Sequence, residues 1–244
     1  MGTVVQDSDL QFLYECSNEQ LQLLADFMLY GNDGKKRITE ELSMTASFRK
    51  NYPNNMRELV PDIIKELQLF GGNTFLNKFR GHGVPYRSIL EDVCKTLKVP
   101  FAKGIPTEML EEYLLRSFLV MAVDKMTEED VYHLSGNLTK EAFKKHIGYL
   151  KAGSPLFIKL VTMLVANIAT KYGLKQAAVW GAKFAGGRLF AVLAGPIGWI
   201  ISSLWTAFDI AGPAYRVTVP CAITIAYLRN VYNKSDEELN EILK

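Results

Sequence analysis

Histidine and cysteine are both scarce: three of each in 244 residues. His82, His133 and His146 fall into no HxxH or HExxH spacing, which removes the helix-borne zinc sites that use it. Cys16, Cys94 and Cys221 are odd in number and scattered. Without CxxC or a Cys/His pairing, no metal is expected. Thiols kept reduced point to a cytoplasmic location. MGTVVQDSDL has no basic region followed by an apolar run, so a secretory signal is not expected. Gly2 lacks a Ser or Thr at position six, so myristoylation is not expected either. Excess charge is missing too. A net charge of +2 does not suggest a bulk polyanion binder, and no nucleic acid is expected as a partner. Neither a strand-and-hairpin series nor an internal repeat emerges.

What the chain does have is grease in one place. Leu189–Phe208, LFAVLAGPIGWIISSLWTAF, holds twenty residues without a charge between Arg188 and Asp209. A helix of that length crosses the roughly 30 Å of bilayer hydrocarbon. Gly195, Pro196 and Gly198 sit at its centre and would kink or split such a helix. A hairpin about Gly195-Pro196 fits better than one straight span. Charge follows the same division. Residues 151–229 carry a net +7, those before carry −3 and the last fifteen carry −2. Basic residues beside apolar helices are favoured near anionic lipid; a basic face docked on the acidic half is the alternative.

Helical signals fill the rest. Ser17 with Gln20 forms a capping box for a helix to about Tyr30. Ile38–Phe48 reads as a short helix, and Met56–Phe70 has clear 3.6-residue apolar spacing, stopped by Gly71-Gly72. Tyr86–Leu97 is helical again. Thr107, Thr127 and Thr139 cap three further helices. Gly153-Ser154-Pro155 is the strongest internal boundary, with Ser154 as cap and Pro155 at the first helical position. It divides an amphipathic region, residues 1–152, from an apolar, basic region, residues 153–244, packed as one globule. Val217–Leu228 reads as a helix starting at Pro220. The expected fold is all-α: a multi-helix globular bundle with a strongly apolar C-terminal hairpin.

Three segments carry a resemblance. They are Asp7-Ser8-Asp9-Leu10 with Phe12-Leu13; FGGNTFLNKFRGHGVPYRSILEDVCKTLKV, residues 70–99; and Gly195-Pro196-Ile197-Gly198-Trp199 with GPAYRVTVP, residues 212–220. Together they resemble the bacterial YaaW-like family of uncharacterised proteins over nearly the full length. Domain collections relate that family to the ubiquinol–cytochrome c chaperones, which help assemble a membrane-embedded cytochrome. The resemblance implies an α-helical fold and a non-enzymatic role.

Candidate site residues follow from chemistry. Around Gly81 and Gly83, the side chains of Arg80, His82 and Arg87 could surround an anion such as a phosphate or lipid headgroup; a tight interhelical turn, with arginines paired to Glu91 or Asp92, is the other reading. That stretch has neither a GK[ST] nor a preceding strand, so it is not a nucleotide loop. His82 lacks an evident nucleophile or carboxylate partner, so an enzyme is not expected, and no cofactor is. Asp209 and Arg216 flank Gly212-Pro213 and would pair, structurally or as a titrating latch, because a lone acid between apolar runs is costly to bury. Leu189, Pro196, Trp199, Ile200, Trp205 and Phe208 form the membrane- or client-binding candidates.

Two functions remain open. One is a conditional membrane inserter, cytoplasmic or held at the inner membrane, whose partner is anionic lipid. The other is a chaperone-like or adaptor protein that receives an apolar client helix. Oligomerisation is left open.

Overall fold

The computed structural model describes residues 6–37, 41–72, 83–174 and 214–243. Every regular element among them is helical, and the one pairing of extended backbone is an isolated bridge between Tyr30 and Lys36. The α-helices run α1 (Asn18–Leu29), α2 (Ala46–Asn51), α3 (Val60–Gly72), α4 (Tyr86–Thr96), α5 (Thr107–Lys125), α6 (Glu128–Ser135), α7 (Lys140–Tyr149), α8 (Pro155–Lys171), α9 (Tyr215–Val231) and α10 (Asp236–Leu243). A 3-10 segment, Ser8–Glu15, precedes α1.

The centre is α9. Fourteen of its seventeen residues are buried, and α1, α3, α4, α5 and α8 pack around it. A helix apolar on every side belongs inside a bundle. Its neighbour α8 is nearly as enclosed, with twelve of seventeen residues buried. On α8, the buried Thr162 hydroxyl and Asn167 amide donate back to the carbonyls of Ile158 and Met163 at 2.7 Å, so neither polar group is stranded. Helices α3 and α4 meet at Gly71, where a Cβ would run into Ile89 Cγ1 and Cδ1. One continuous cluster of buried side chains joins residues before and after Gly153.

Local signals account for most helix ends. Ser17 and Gln20 close the expected capping box on α1, and Thr127 with Asp130 closes another on α6. Thr139 caps α7 through the Ala142 N–H, and Pro155 opens α8. Arg116 reaches from α5 to the carbonyls of Ile147 and Gly148, giving the last turn of α7 cationic donors as a helix C-terminus favours.

Four expectations are corrected. The helix expected over Ile38–Phe48 is broken: a 3-10 turn at Leu42–Met44 ends at Thr45, whose hydroxyl caps α2 at the Phe48 N–H. Met56–Phe70 begins as a 3-10 turn, Met56–Leu59, before α3. Pro61, early in α3, has no N–H to continue an α-helical ladder backward. The helix runs past Phe70, with Gly71 and Gly72 as the last residues of α3. Thr107 is the first residue of α5, not its cap, and its hydroxyl donates to Asp9 Oδ2 at 2.8 Å.

Among the described residues no helix is long and apolar enough to cross a membrane. Leu189–Phe208, the apolar hairpin of the sequence reading, lies outside them.

Candidate functional site

Helix α9 starts at Tyr215, so Pro220 lies inside it and does not begin it. An interior proline leaves the carbonyl four residues earlier without its helical donor. That carbonyl is Arg216's, and two side chains replace the missing N–H. The Tyr172 hydroxyl donates to it at 2.6 Å, and Arg37 Nη2 donates to it at 3.2 Å. Tyr172 comes from the end of α8, and Arg37 from the stretch after the Tyr30–Lys36 bridge.

Burial dominates the electrostatics here. It pushes the Tyr172 phenol far above its usual range and pulls the Arg37 guanidinium down, with repulsion from Arg216 adding to the latter. The Tyr172 ring stands edge-on to Phe27 of α1, centroids 5.1 Å apart at 89°. The result is a clamp joining α1, α8 and α9 through Phe27, Tyr172 and the Arg216 carbonyl.

The clamp predicts a coupling. Tyr172→Phe should cost about 1–2 kcal/mol, since a buried acceptor loses a donor. Pro220→Ala should cost less in the Tyr172→Phe background than alone, because alanine at that position restores a helical N–H to the same carbonyl. Equal costs in both backgrounds, read from urea unfolding of the four proteins, would refute the clamp.

A second buried network ties the N-terminal segment to α4, α5 and α9. Arg229 Nε donates to Glu111 Oε2 at 2.6 Å, and its Nη2 donates to Glu111 Oε1 at 3.2 Å and to the Asp9 carbonyl at 2.6 Å. Its guanidinium lies 4.3 Å from the centroid of the Phe12 ring, a cation–π contact. The Glu111 side chain is 2% exposed. Burial holds its carboxyl above the usual range, while Arg229 and Tyr86 draw it back down. Asp7 Oδ2 accepts from the Tyr86 N–H at 2.6 Å, capping α4 from a distant part of the chain.

The sequence reading missed this network, yet a signal was present. Glu111 lies in the stripe of Thr107, Leu110, Leu114 and Phe118, four residues after Thr107 and one after Leu110. A charge on a core-facing stripe implies a buried partner.

Of the expected site residues, Arg80, His82, Asp209, Leu189, Pro196, Trp199, Ile200, Trp205 and Phe208 lie outside the described residues. Arg87 is committed within the fold: its Nε donates to Glu91 at 2.9 Å and its Nη1 to the Ile105 carbonyl at 2.6 Å. An anion at this loop would therefore compete with Glu91 for Arg87. Arg216 contributes its carbonyl to the clamp. Asp92, the other acid considered near Arg87, accepts instead from the Tyr215 hydroxyl at 2.7 Å.

The three cysteines are free and buried. Burial pushes the Cys16 and Cys94 thiols up to about 12, and Cys221 up as well. Protonated thiols are poor nucleophiles and poor metal ligands. Among the described residues no three His, Cys, Asp or Glu side chains stand close enough to hold a metal ion.

Fold and site thus define, among the described residues, an all-helical protein built around one enclosed helix, α9, with α8 fastened to it by the contact of Tyr172 with the Arg216 carbonyl. Comparison with known proteins gives the family. The chain is 34% identical over 244 residues to a UPF0174 protein of Helicobacter pylori strain J99, covering 95% of this chain and 94% of the relative. It is 34% identical over 230 residues to the UPF0174 protein YaaW of Escherichia coli K12, covering 92% and 94%. The chain belongs to this YaaW-like UPF0174 family. A family model described as a domain of unknown function (DUF3944) matches residues 5–38. That window contains Asp7, Asp9, Phe12 and Arg37, the side chains that fasten the N-terminal segment to α4, α5 and α9. No solved structure matches the chain.

Proposed function

We propose that this chain is a non-enzymatic helical protein that associates conditionally with membranes through its apolar segment Leu189–Phe208. The supporting observation is the clamp. Tyr172 and Arg216 are in direct contact at 2.6 Å, although 43 residues of chain separate them. With α8 and α9 fastened to each other at this contact, lipid contact by Leu189–Phe208 need not shift either helix. The basic balance of residues 151–229 suits an anionic surface, where each Lys or Arg contributes roughly 1 kcal/mol.

Cell fractionation with carbonate and high-salt washes separates the outcomes. Carbonate-resistant protein supports insertion, and salt-released protein supports attachment at the surface. Protein found wholly in the soluble fraction turns the reading toward an adaptor for an apolar client helix.

Ile200→Lys is the point test. A lysine deep in hydrocarbon costs about 3 kcal/mol, so membrane retention should fall by roughly a hundredfold while circular dichroism stays helical. Unchanged retention would show that Leu189–Phe208 is not the membrane-contacting element.

A further inference from the structure

A cavity of about 640 Å³ opens beside the start of α1, the end of α2 and the turn leading into Met56–Leu59. That size falls within the roughly 300–1,000 Å³ of small-molecule sites. Most such sites are apolar, but this one is ringed by Lys50, Asn51, Asn54, Asn55, Arg57 and Glu58.

Its frame is fixed. Asn18 Nδ2 donates to the Pro53 carbonyl at 2.5 Å, and the Met56 N–H donates to Asn18 Oδ1 at 2.8 Å. The turn is thereby held to α1 by both ends of one amide. The Asn55 N–H closes the loop onto the Asn51 carbonyl at 2.7 Å.

Asn18, Ser17 and Asn51 are held by the fold, and five of the other lining side chains are uncommitted. Among the described residues, Lys50, Asn54, Asn55, Arg57 and Glu58 spend no side-chain hydrogen bond or ion pair on the fold. Each has a distinct capability. The Arg57 guanidinium presents a planar fork that matches a phosphate, and Lys50 adds a point charge. The Asn54 and Asn55 amides each place a donor beside an acceptor, which suits hydroxyl groups that do both. Glu58 only accepts, and so favours ligand hydroxyls.

We propose that this cavity binds a small phosphorylated sugar, with Lys50 and Arg57 on the phosphate and Asn54, Asn55 and Glu58 on the hydroxyls. Inorganic phosphate would leave the amides unused, and a neutral sugar would leave both cations unused.

Isothermal titration of the full chain with glucose 6-phosphate, glucose and inorganic phosphate tests the assignment. Saturable binding of glucose 6-phosphate is expected, at least about tenfold tighter than either other probe. Lys50→Gln combined with Arg57→Gln should weaken it by a further tenfold or more, roughly, and Asn54→Ala should weaken the sugar phosphate but not inorganic phosphate. Lys103→Gln, on an exposed loop away from the cavity, should change nothing. Equal affinity for phosphate and glucose 6-phosphate would reduce the site to a patch of charge and overturn the proposal. So would indifference to the double substitution, or no saturation by any probe at about 10 mM.

Discussion

Replacing Arg229 with methionine should lower stability by about 3–5 kcal/mol at pH 7, the range for breaking a buried ion pair from one side. Methionine keeps much of the apolar stem, so the loss falls on charge and hydrogen bonding. The Glu111 carboxylate would keep its burial and lose both guanidinium bonds, and the Asp9 carbonyl would lose its Nη2 donor. The size of the penalty should depend on pH. Burial already holds the Glu111 carboxyl above the ordinary range against the pull of Arg229. Without Arg229 that opposition is mostly gone, and the folded-state value rises further. A carboxyl whose value is higher folded than unfolded takes up a proton on folding. Its contribution is full below the unfolded value of about 4.3, and is lost as pH rises through the folded value. Urea unfolding at pH 7 and pH 5 should therefore give a smaller penalty at pH 5. A penalty unchanged between the two would mean that Glu111 is not the group left exposed to the loss. Glu111→Gln added to Arg229→Met should recover part of the stability at pH 7 by removing the stranded charge.

Phe27→Ala should cost a similar 3–5 kcal/mol. Phe27 is 0% exposed and supports the edge of the Tyr172 ring. Its loss leaves a cavity between α1 and the clamp, and Tyr172 loses the wall that aims its hydroxyl at the Arg216 carbonyl. Unlike the Arg229 variant, this one should show the same penalty at pH 5 and pH 7, because no carboxyl is uncovered. A cost below about 1 kcal/mol would mean that neighbouring side chains fill the space.

The all-helical class and most helix starts are legible in the sequence because their causes are local. Ser17 with Gln20, Thr127, Thr139 and Pro155 each act within one turn of their own position. The misreadings share a different cause. Pro220 reads locally as a first residue because an interior proline strands a carbonyl, and only the fold brings Tyr172 and Arg37 to it. Thr107 reads as a cap because nothing local reveals that Asp9 claims its hydroxyl. Arg87 can be read either as an anion ligand or as a partner of Glu91, and the Ile105 carbonyl that also holds it lies eighteen residues away. The Arg229–Glu111 pair spans 118 residues, so periodicity can mark Glu111 as out of place without naming its partner.

The position of α9 has a consequence for biosynthesis. The axis of the described helices is made after every helix that packs around it. At roughly 5–20 residues per second, the ribosome takes on the order of ten to forty seconds to pass from α1 to Tyr215. Until α9 is made, those of α1, α3, α4, α5 and α8 already synthesised lack the helix that they pack around. Their apolar faces must stay open, pair with one another provisionally or be covered by a holding factor. A nascent chain stopped before Tyr215 has these walls without the described helix that they surround.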